Sequence, residues 1–495
     1  MIIAWLLLLW NLGAPSFSVD EFTNLEMERG SLSAILADLA AGRDLHPPLT
    51  HLVVAPWLGI AGDSEWSARF IPVAFGLLSL ALLWRLALVW LDRRHAWLAP
   101  ALLALAPTFH LYVRFEKYYA ITMALALLYL VCVHRWSARP TRPRLALLGL
   151  ATVALLYTDY LAALFFVGTT GLLLILALLK TNRGLLVEWS LAQVASAVFL
   201  VPWLATVATQ SASLHSQIRP DLAGAPIDFA LKLGAVALSF GLGETLFPWR
   251  PPGALGLLSS LMLLVAGLLA LRRSNSLGLA LLTYLLLPIV GGALLFTAWA
   301  QTVPFMAFPN HVLFALPVFS VLLAIGAWHL SPKVRFLALA LWVGAATTGL
   351  LSYHAGQDYL NPIYAVPTRE IAATVQDNTA RTPGALVLAE YDTGLPFYLA
   401  RQATPVSVVP PGKVSAMAAP PPEVWLFSFG RDRTRVLEGD ARARDWLRDN
   451  GYALVAAKSY VPTDPIYGAL KRRLLSREVY DAKATLEQWR RGTRE

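Results

Sequence analysis

A succession of long apolar runs leaves this chain one broad architecture. The runs cover roughly 1–15, 68–91, 96–112, 119–136, 145–158, 160–179, 185–207, 254–271, 277–299, 308–330 and 335–353. Most approach the ~20 residues that a helix needs to cross hydrocarbon, which gives about eleven spans in a range of roughly 10 to 13. The 495 residues are 57% hydrophobic and 14% charged, with a mean hydropathy of +0.56. A water-soluble fold is thereby excluded, and the expected class is an all-α polytopic membrane domain. Met1 to Leu12 is short for a span, and no basic stretch precedes it. The expectation there is a first transmembrane helix that lacks its first turns, rather than a signal peptide.

The connecting loops separate by charge. Asp92 to His95, His134 to Arg144, Lys180 to Arg183, Arg272-Arg273 and Lys333 to Arg335 fall on one side if the spans alternate. The positive-inside rule makes that side cytoplasmic. The net charge of +9 then belongs to membrane topology, and no nucleic-acid partner is expected. Asp20, His46, Glu116, Asp159 and the outer loops 16–67 and 208–253 fall on the opposite side. Within those loops, residues 22–42 read as an amphipathic helix lying on the membrane. Residues 227–247 contain Lys232 and Glu244 and read as an interfacial or re-entrant helix. Residues 50–62 are apolar but short. The single cysteine, Cys132, rules out an intramolecular disulfide.

After Tyr353 the composition turns polar. Residues 356–495 read as a small α/β soluble domain on the outer side, following a membrane domain over 1–355. Strand-like runs lie at 385–389 and 424–427. Helix-like stretches lie at Arg369 to Val375 and Asp440 to Asn450, the latter stopped by Asn450-Gly451. The Pro-rich stretch 405–422 reads as a loop.

Several polar groups sit where a membrane protein places them only for a reason. Asp20 and Glu21 follow the first apolar run. A carboxylate there can act as a general base on a hydroxyl, and a second one can tune it or help hold a divalent metal. In His46-Pro47-Pro48-Leu49 the prolines disfavour helix before them and hold His46 in an extended turn. They also suit the first turn of a helix beginning there. His51 reads as a packing residue. Arg114, Glu116, Lys117, Tyr118 and Tyr119 put two cations on the side where positive charge is disfavoured. Such cations can bind a departing phosphate, and the tyrosines can stack on a sugar or anchor the interface. Asp159 in Tyr157-Thr158-Asp159-Tyr160 is a turn former or a ligand-facing group. Arg69 is an interface ion pair or a phosphate contact. Glu244 reads as a solvated charge, and Asn310-His311 as a helix start.

Taken in order, these motifs resemble the type-C glycosyltransferase superfamily, in particular the bacterial relatives of protein O-mannosyltransferases and lipid A aminoarabinose transferases. The resemblance rests on Asp20-Glu21, His46-Pro47-Pro48-Leu49 and Ala68-Arg69-Phe70-Ile71-Pro72 with Gly76. It continues through Arg114 to Tyr119, Tyr157 to Tyr160 and Leu313 to Pro317, covering about 350 residues by the repeat of apolar spans. It implies a membrane enzyme that takes a sugar from a polyprenyl-phosphate carrier and passes it to a lipid, glycan or protein hydroxyl at the outer face of the inner membrane. By the resemblance Asp20 is the catalytic base, with Glu21, His46, Glu116 and Asp159 in support. Arg114, Lys117 and Arg69 would meet the donor phosphate, and Tyr118 and Tyr119 the sugar or lipid. A metal held by Asp20, Glu21 and His46 stays open. The chain departs from such relatives in carrying Lys117 where Arg is frequent and Asp159 where His is frequent. Two other classes compete: a transporter or flippase of a lipid-linked solute, and a non-catalytic envelope-assembly subunit.

Overall fold

Apolar helices fill the chain up to Ala355, and a small sheet follows them. The computed structural model describes residues 1–179, 181–216, 225–272, 275–300, 305–382, 384–402, 406–416, 421–429, 434–460, 464–474 and 484–492. Lys180, Arg273 and residues 217–224 of the expected outer loop lie outside them. Two compact units emerge. One takes Met1–Leu12 and Glu26 onward to Ala355; the other takes Gly13–Leu25 and the chain from Gly356. The segment Gly13–Leu25, which the sequence places in the first outer loop of the membrane domain, therefore groups with the C-terminal unit.

In the first unit, eight helices among the described residues are long and apolar enough to cross a membrane: Glu65–Trp90, Tyr119–Ala138, Tyr160–Leu178, Arg183–Gln210, Ala225–Leu242, Pro251–Leu271, Ser276–Ala298 and Pro332–His354. Shorter apolar helices, Leu49–Ala61 and Leu313–His329, accompany them, as does Arg142–Leu156. The apolar run at 96–112 is broken at Pro107, which lacks an N–H and holds Ala106 in an extended conformation. It forms two short helices, Leu98–Leu105 and Pro107–Val113.

One expectation needs correction. Ala225–Leu242, read from sequence as interfacial or re-entrant, has the length and composition of a span. The charge inside it is neutralised locally. Lys232 pairs with Asp228 one turn earlier, and the Thr297 hydroxyl lies 3.3 Å from the Lys232 ammonium and donates to Asp228 at 3.0 Å. A paired, hydrogen-bonded charge is far less costly inside apolar surroundings than a lone one.

Small residues permit a close helix crossing. A side chain on Gly326 would strike the carbonyl of Leu263, and one on Gly267 the carbonyl of Leu322. Pro251–Leu271 and the helix around Gly326 thus approach backbone to backbone, the contact that small residues permit in membranes. Leu258, Leu261 and Leu269 on the former stay exposed, as lipid-facing residues would.

The second unit is built on a five-stranded sheet of β1 (Leu386–Leu388), β2 (Ser407–Val409), β3 (Glu423–Phe429), β4 (Tyr452–Tyr460) and β5 (Ala484–Arg491), in the order β2-β1-β3-β5-β4. β1 is parallel to β2 and β3, and β5 runs antiparallel to β3 and β4. Leu386, Leu388, Val424, Leu426, Leu447 and Trp489 form its core. Helix Thr434–Asp449 covers part of the sheet and stops at Gly451, whose φ of 79° suits glycine. β2 and a 3-10 turn occupy part of the Pro-rich stretch read as loop.

The segment Gly13–Leu25 is tied into this unit. The Arg369 guanidinium donates to the carbonyls of Gly13 and Ala14 at 3.2 and 2.6 Å. The Arg369 amide donates to Ser16 Oγ at 3.0 Å, and the Phe17 amide donates to the Tyr398 hydroxyl at 2.6 Å. The rings of Phe17 and Phe22 lie 6.0 and 5.8 Å from that of Phe397.

Candidate functional site

The His46-Pro47-Pro48 turn does what its prolines require: helix Leu49–Ala61 begins immediately after it. The Leu49 amide donates to the Tyr157 carbonyl at 2.8 Å. The Gln210 side chain donates to the carbonyls of Asp44 and His46 at 3.0 and 3.3 Å. Gln210 is itself held, because its Oε1 accepts from the Tyr160 hydroxyl at 3.2 Å. His46 Nδ1 lies 2.6 Å from Asp44 Oδ1, and its amide donates to the same oxygen at 3.0 Å. The imidazole packs over the Tyr118 ring with centroids 4.1 Å apart. The Tyr118 hydroxyl in turn lies 3.3 Å from His311 Nδ1.

Beneath this turn is a buried ionic cluster. His51 Nδ1 is 2.9 Å from Glu28 Oε1, and Nε2 is 3.4 Å from Asp44 Oδ2. Burial opposes charge on His51, but the hydrogen bonds to Asp44 and Glu28 and their charges bring it up to about 9. Burial would raise Asp44 too; the charges of His46 and Lys117 and the bonds from both histidines hold it well below the usual carboxylate range. Glu28 goes the other way. Its burial outweighs His51, a hydrogen bond with Glu116 and the Lys117 charge, so its carboxyl is raised.

The Arg114-to-Tyr119 motif thus meets the His46 turn. Glu116 is fully buried, and Lys117 is part-exposed beside Asp44 and Glu28. Tyr119 packs edge-on to Tyr112 at 5.3 Å. Arg114 is occupied by neighbouring helices. It donates to the Trp10 carbonyl at 2.7 Å, lies 3.3 Å from His354 Nδ1 and sits 5.1 Å over the Tyr353 ring. Its Nε is buried without a partner among the described residues. Arg69 is buried and donates to the Leu12 carbonyl at 3.1 Å.

Asp159 caps a helix. Its carboxylate accepts from the amides of Leu161 and Ala162 at 2.8 and 3.2 Å, at the start of Tyr160–Leu178. Burial raises it to about 6, against the pull of those amides and of the His46 charge. Asp20 and Glu21 lie in the first turn of Val19–Glu28, in the segment that groups with the C-terminal unit. Glu21 and Ser18 form a reciprocal cap: the Ser18 amide donates to Glu21 Oε2 at 2.9 Å, and the Glu21 amide donates to Ser18 Oγ at 3.4 Å.

Glu244 is not the solvated charge expected. It is buried and accepts from Ser239 at 2.7 Å and from Tyr112, because its loop folds back onto Pro107–Val113. His51 is likewise more than packing. Glu28 and Asp44 escaped notice because each reads as an ordinary loop or amphipathic charge. The Asp44-x-His46 spacing was the one available signal, since a side chain two residues away can bond its neighbour's backbone. Among the described residues, no group of three His, Cys, Asp or Glu side chains is arranged to hold a metal ion.

Residues 45–207 match the family model described as dolichyl-phosphate-mannose-protein mannosyltransferase. That stretch contains His46, Arg69, Arg114 to Tyr119 and Asp159, and excludes Asp20 and Glu21. No curated protein sequence matches the chain. Among solved structures it is similar to ArnT from Cupriavidus metallidurans in the apo state, at 14% identity and TM-score 0.54, over 98% of this chain and 96% of that one. The same protein bound to undecaprenyl phosphate gives 15% identity and TM-score 0.53 over the same shares. The ordered motifs, the family match over residues 45–207 and the shared fold of the whole chain agree with one another.

Proposed function

We propose that this protein moves a sugar from a polyprenyl-phosphate carrier to an acceptor hydroxyl at the outer face of the inner membrane, with inversion. The observation that carries the reading is the polar cluster inside the family-matched stretch, where Lys117, Glu116 and Tyr118 gather around the His46 turn. A cation beside a histidine, backed by tyrosines, suits a lipid phosphate whose tail lies in the bilayer. The undecaprenyl phosphate bound to the structurally similar ArnT supports the same class of carrier.

Asp20 takes the proton from the acceptor hydroxyl, the oxygen attacks the anomeric carbon, and the bond from that carbon to the phosphate oxygen breaks. The polyprenyl phosphate leaves with the electron pair, and Lys117 stabilises the developing charge. Arg114 offers its unpartnered Nε to the same group, and Arg69 steadies the neighbouring backbone. Glu21 shapes the turn that carries Asp20. Tyr119 borders the sugar or lipid. The acceptor is a lipid, glycan or protein hydroxyl of the cell envelope.

The test is Asp20→Asn in native membranes, supplied with a radiolabelled polyprenyl-phosphate sugar. Transfer is expected to fall on the order of a hundredfold or more, as loss of a general base does. Undiminished turnover would sink the assignment of the base.

A further inference from the structure

Glu28, His51 and Asp44 have no role in the transfer step described above, yet they form the most heavily buried charge set in contact with it. Both ring nitrogens of His51 face carboxylates, Glu28 Oε1 at 2.9 Å and Asp44 Oδ2 at 3.4 Å. The bonds and charges of the two carboxyl groups lift His51 to about 9, so at neutral pH the ring carries a proton on each nitrogen. His51 is thus a fixed cation. Asp44 turns its other oxygen to His46, accepting from the ring at 2.6 Å and from the amide at 3.0 Å. One line of contacts runs Glu28–His51–Asp44–His46. Side-chain exposure rises along it from 0% and 2% at Glu28 and His51 to 11% at Asp44 and 26% at His46.

The outer end of that line is defined chemically. Because Asp44 Oδ1 accepts from Nδ1, the proton of a neutral His46 ring sits on Nδ1. Nε2 then carries the lone pair. Tyr118 beneath the ring fixes its plane. A histidine oriented through a carboxylate is a recurrent device, and its outer partners decide tautomer and direction. The charged and titratable groups facing this line from other elements are Lys117 and Glu116 on the Arg114-to-Tyr119 motif, and Asp159 at the next helix start. His311 closes the series through the Tyr118 hydroxyl.

Building on the glycosyl-transfer reading, we infer that Glu28, His51 and Asp44 form a charge clamp that fixes the tautomer and ring direction of His46 and leaves its Nε2 to accept a hydrogen bond from a hydroxyl of the sugar substrate. His51 and Asp44 are then positioning residues for sugar transfer. An ion cluster that only braced the turn would leave the His46 tautomer indifferent to His51.

The experiment uses the full chain in lipid nanodiscs with 15N-labelled histidine, and His46→Gln to assign the resonance. At a pH where the ring is neutral, wild type should show His46 in the Nδ1–H form. His51→Asn and Asp44→Asn should both release it to a mixture of tautomers. In parallel, kcat with a polyprenyl-phosphate sugar should fall on the order of ten- to a hundredfold, the range seen when outer partners of a working histidine are lost. His51→Arg keeps a cation between the carboxylates and should restore most of that loss. Where His51→Asn does not fold, Asp44→Asn carries the same test, since the amide keeps the side chain's volume. An Nε2–H ring in wild type, or a tautomer unmoved by either substitution, would overturn the clamp. A tautomer that moves without any change in kcat would overturn its link to transfer. A wild-type protein with the Nδ1–H ring but no sugar transfer would keep the clamp and reject the glycosyl-transfer reading instead.

Discussion

The Tyr112 hydroxyl reaches both carboxylate oxygens of Glu244, at 3.0 and 2.9 Å. Burial pushes this carboxyl up to about 7, with the bonds from Ser239 and Tyr112 pulling the other way. The folded value lies above the unfolded one, so the group's stabilisation is complete below about 4.5 and is lost as pH rises through about 7. Glu244→Gln should therefore melt at nearly the same temperature from about pH 5 to about pH 8, while wild type loses a few degrees over that window. Thermal melts in detergent at several pH values decide it. A wild-type profile as flat as the variant's would remove Glu244 as the cause.

Lys117 is the part-exposed cation of its motif. Replacing it with Met should raise KM for the lipid-linked donor about ten- to a hundredfold, the worth of one charge-assisted contact. Lys117→Arg should cost much less. Equal KM values for all three proteins would place the phosphate elsewhere.

Asp159 separates structural from chemical duty by a choice of substitutions. Asp159→Ala removes a helix cap and should destabilise by about 1 kcal/mol, whereas Asp159→Asn keeps an acceptor and should stay close to wild type. Detergent melts give the comparison. If Asn melts as low as Ala, the carboxylate charge rather than the cap is what the fold requires.

Asp440 gives the C-terminal unit its own pH dependence. It accepts from the Ser428 hydroxyl, and burial lifts it to about 6 against that bond and the Arg444 charge; Glu390 and Glu487 add to the lift. Because its folded value is above the unfolded one, its stabilisation is full below about 3.8 and fades as pH climbs through about 6. Asp440→Asn should slow amide exchange in β3 and in helix Thr434–Asp449 at neutral pH and change little near pH 4. Unchanged exchange at neutral pH would refute it.

Apolar periodicity made the helical membrane unit legible; loop charge put His46 on the same side as Lys117 and Tyr118 but did not foretell that His46 packs on Tyr118. Asp228, one turn earlier, neutralises Lys232, while the Thr297 hydroxyl that bonds both stands 65 positions away and could not be read beside them. Glu28 and His51 stand 23 positions apart, and neither sits in a pattern that announces a buried pair. Such contacts arise only when helices pack, so hydropathy does not foretell them. In the C-terminal unit, β1 and β3 were readable as apolar runs. β4 was not: seven of its nine residues are exposed, which leaves no alternation to read.

The anchoring of residues 13–25 by Arg369, Tyr398 and Phe397 changes what the C-terminal sheet is for. It is not an appendage that could be trimmed to yield a smaller enzyme. A chain ending at Ala355 would leave Asp20 on a stretch without those ties, and on the proposal that Asp20 is the base it should lose transfer even if no partner binds the sheet. Deletion phenotypes in that region therefore report on the mooring of the proposed base, and partner binding must be probed by surface substitutions that spare Arg369 and Tyr398.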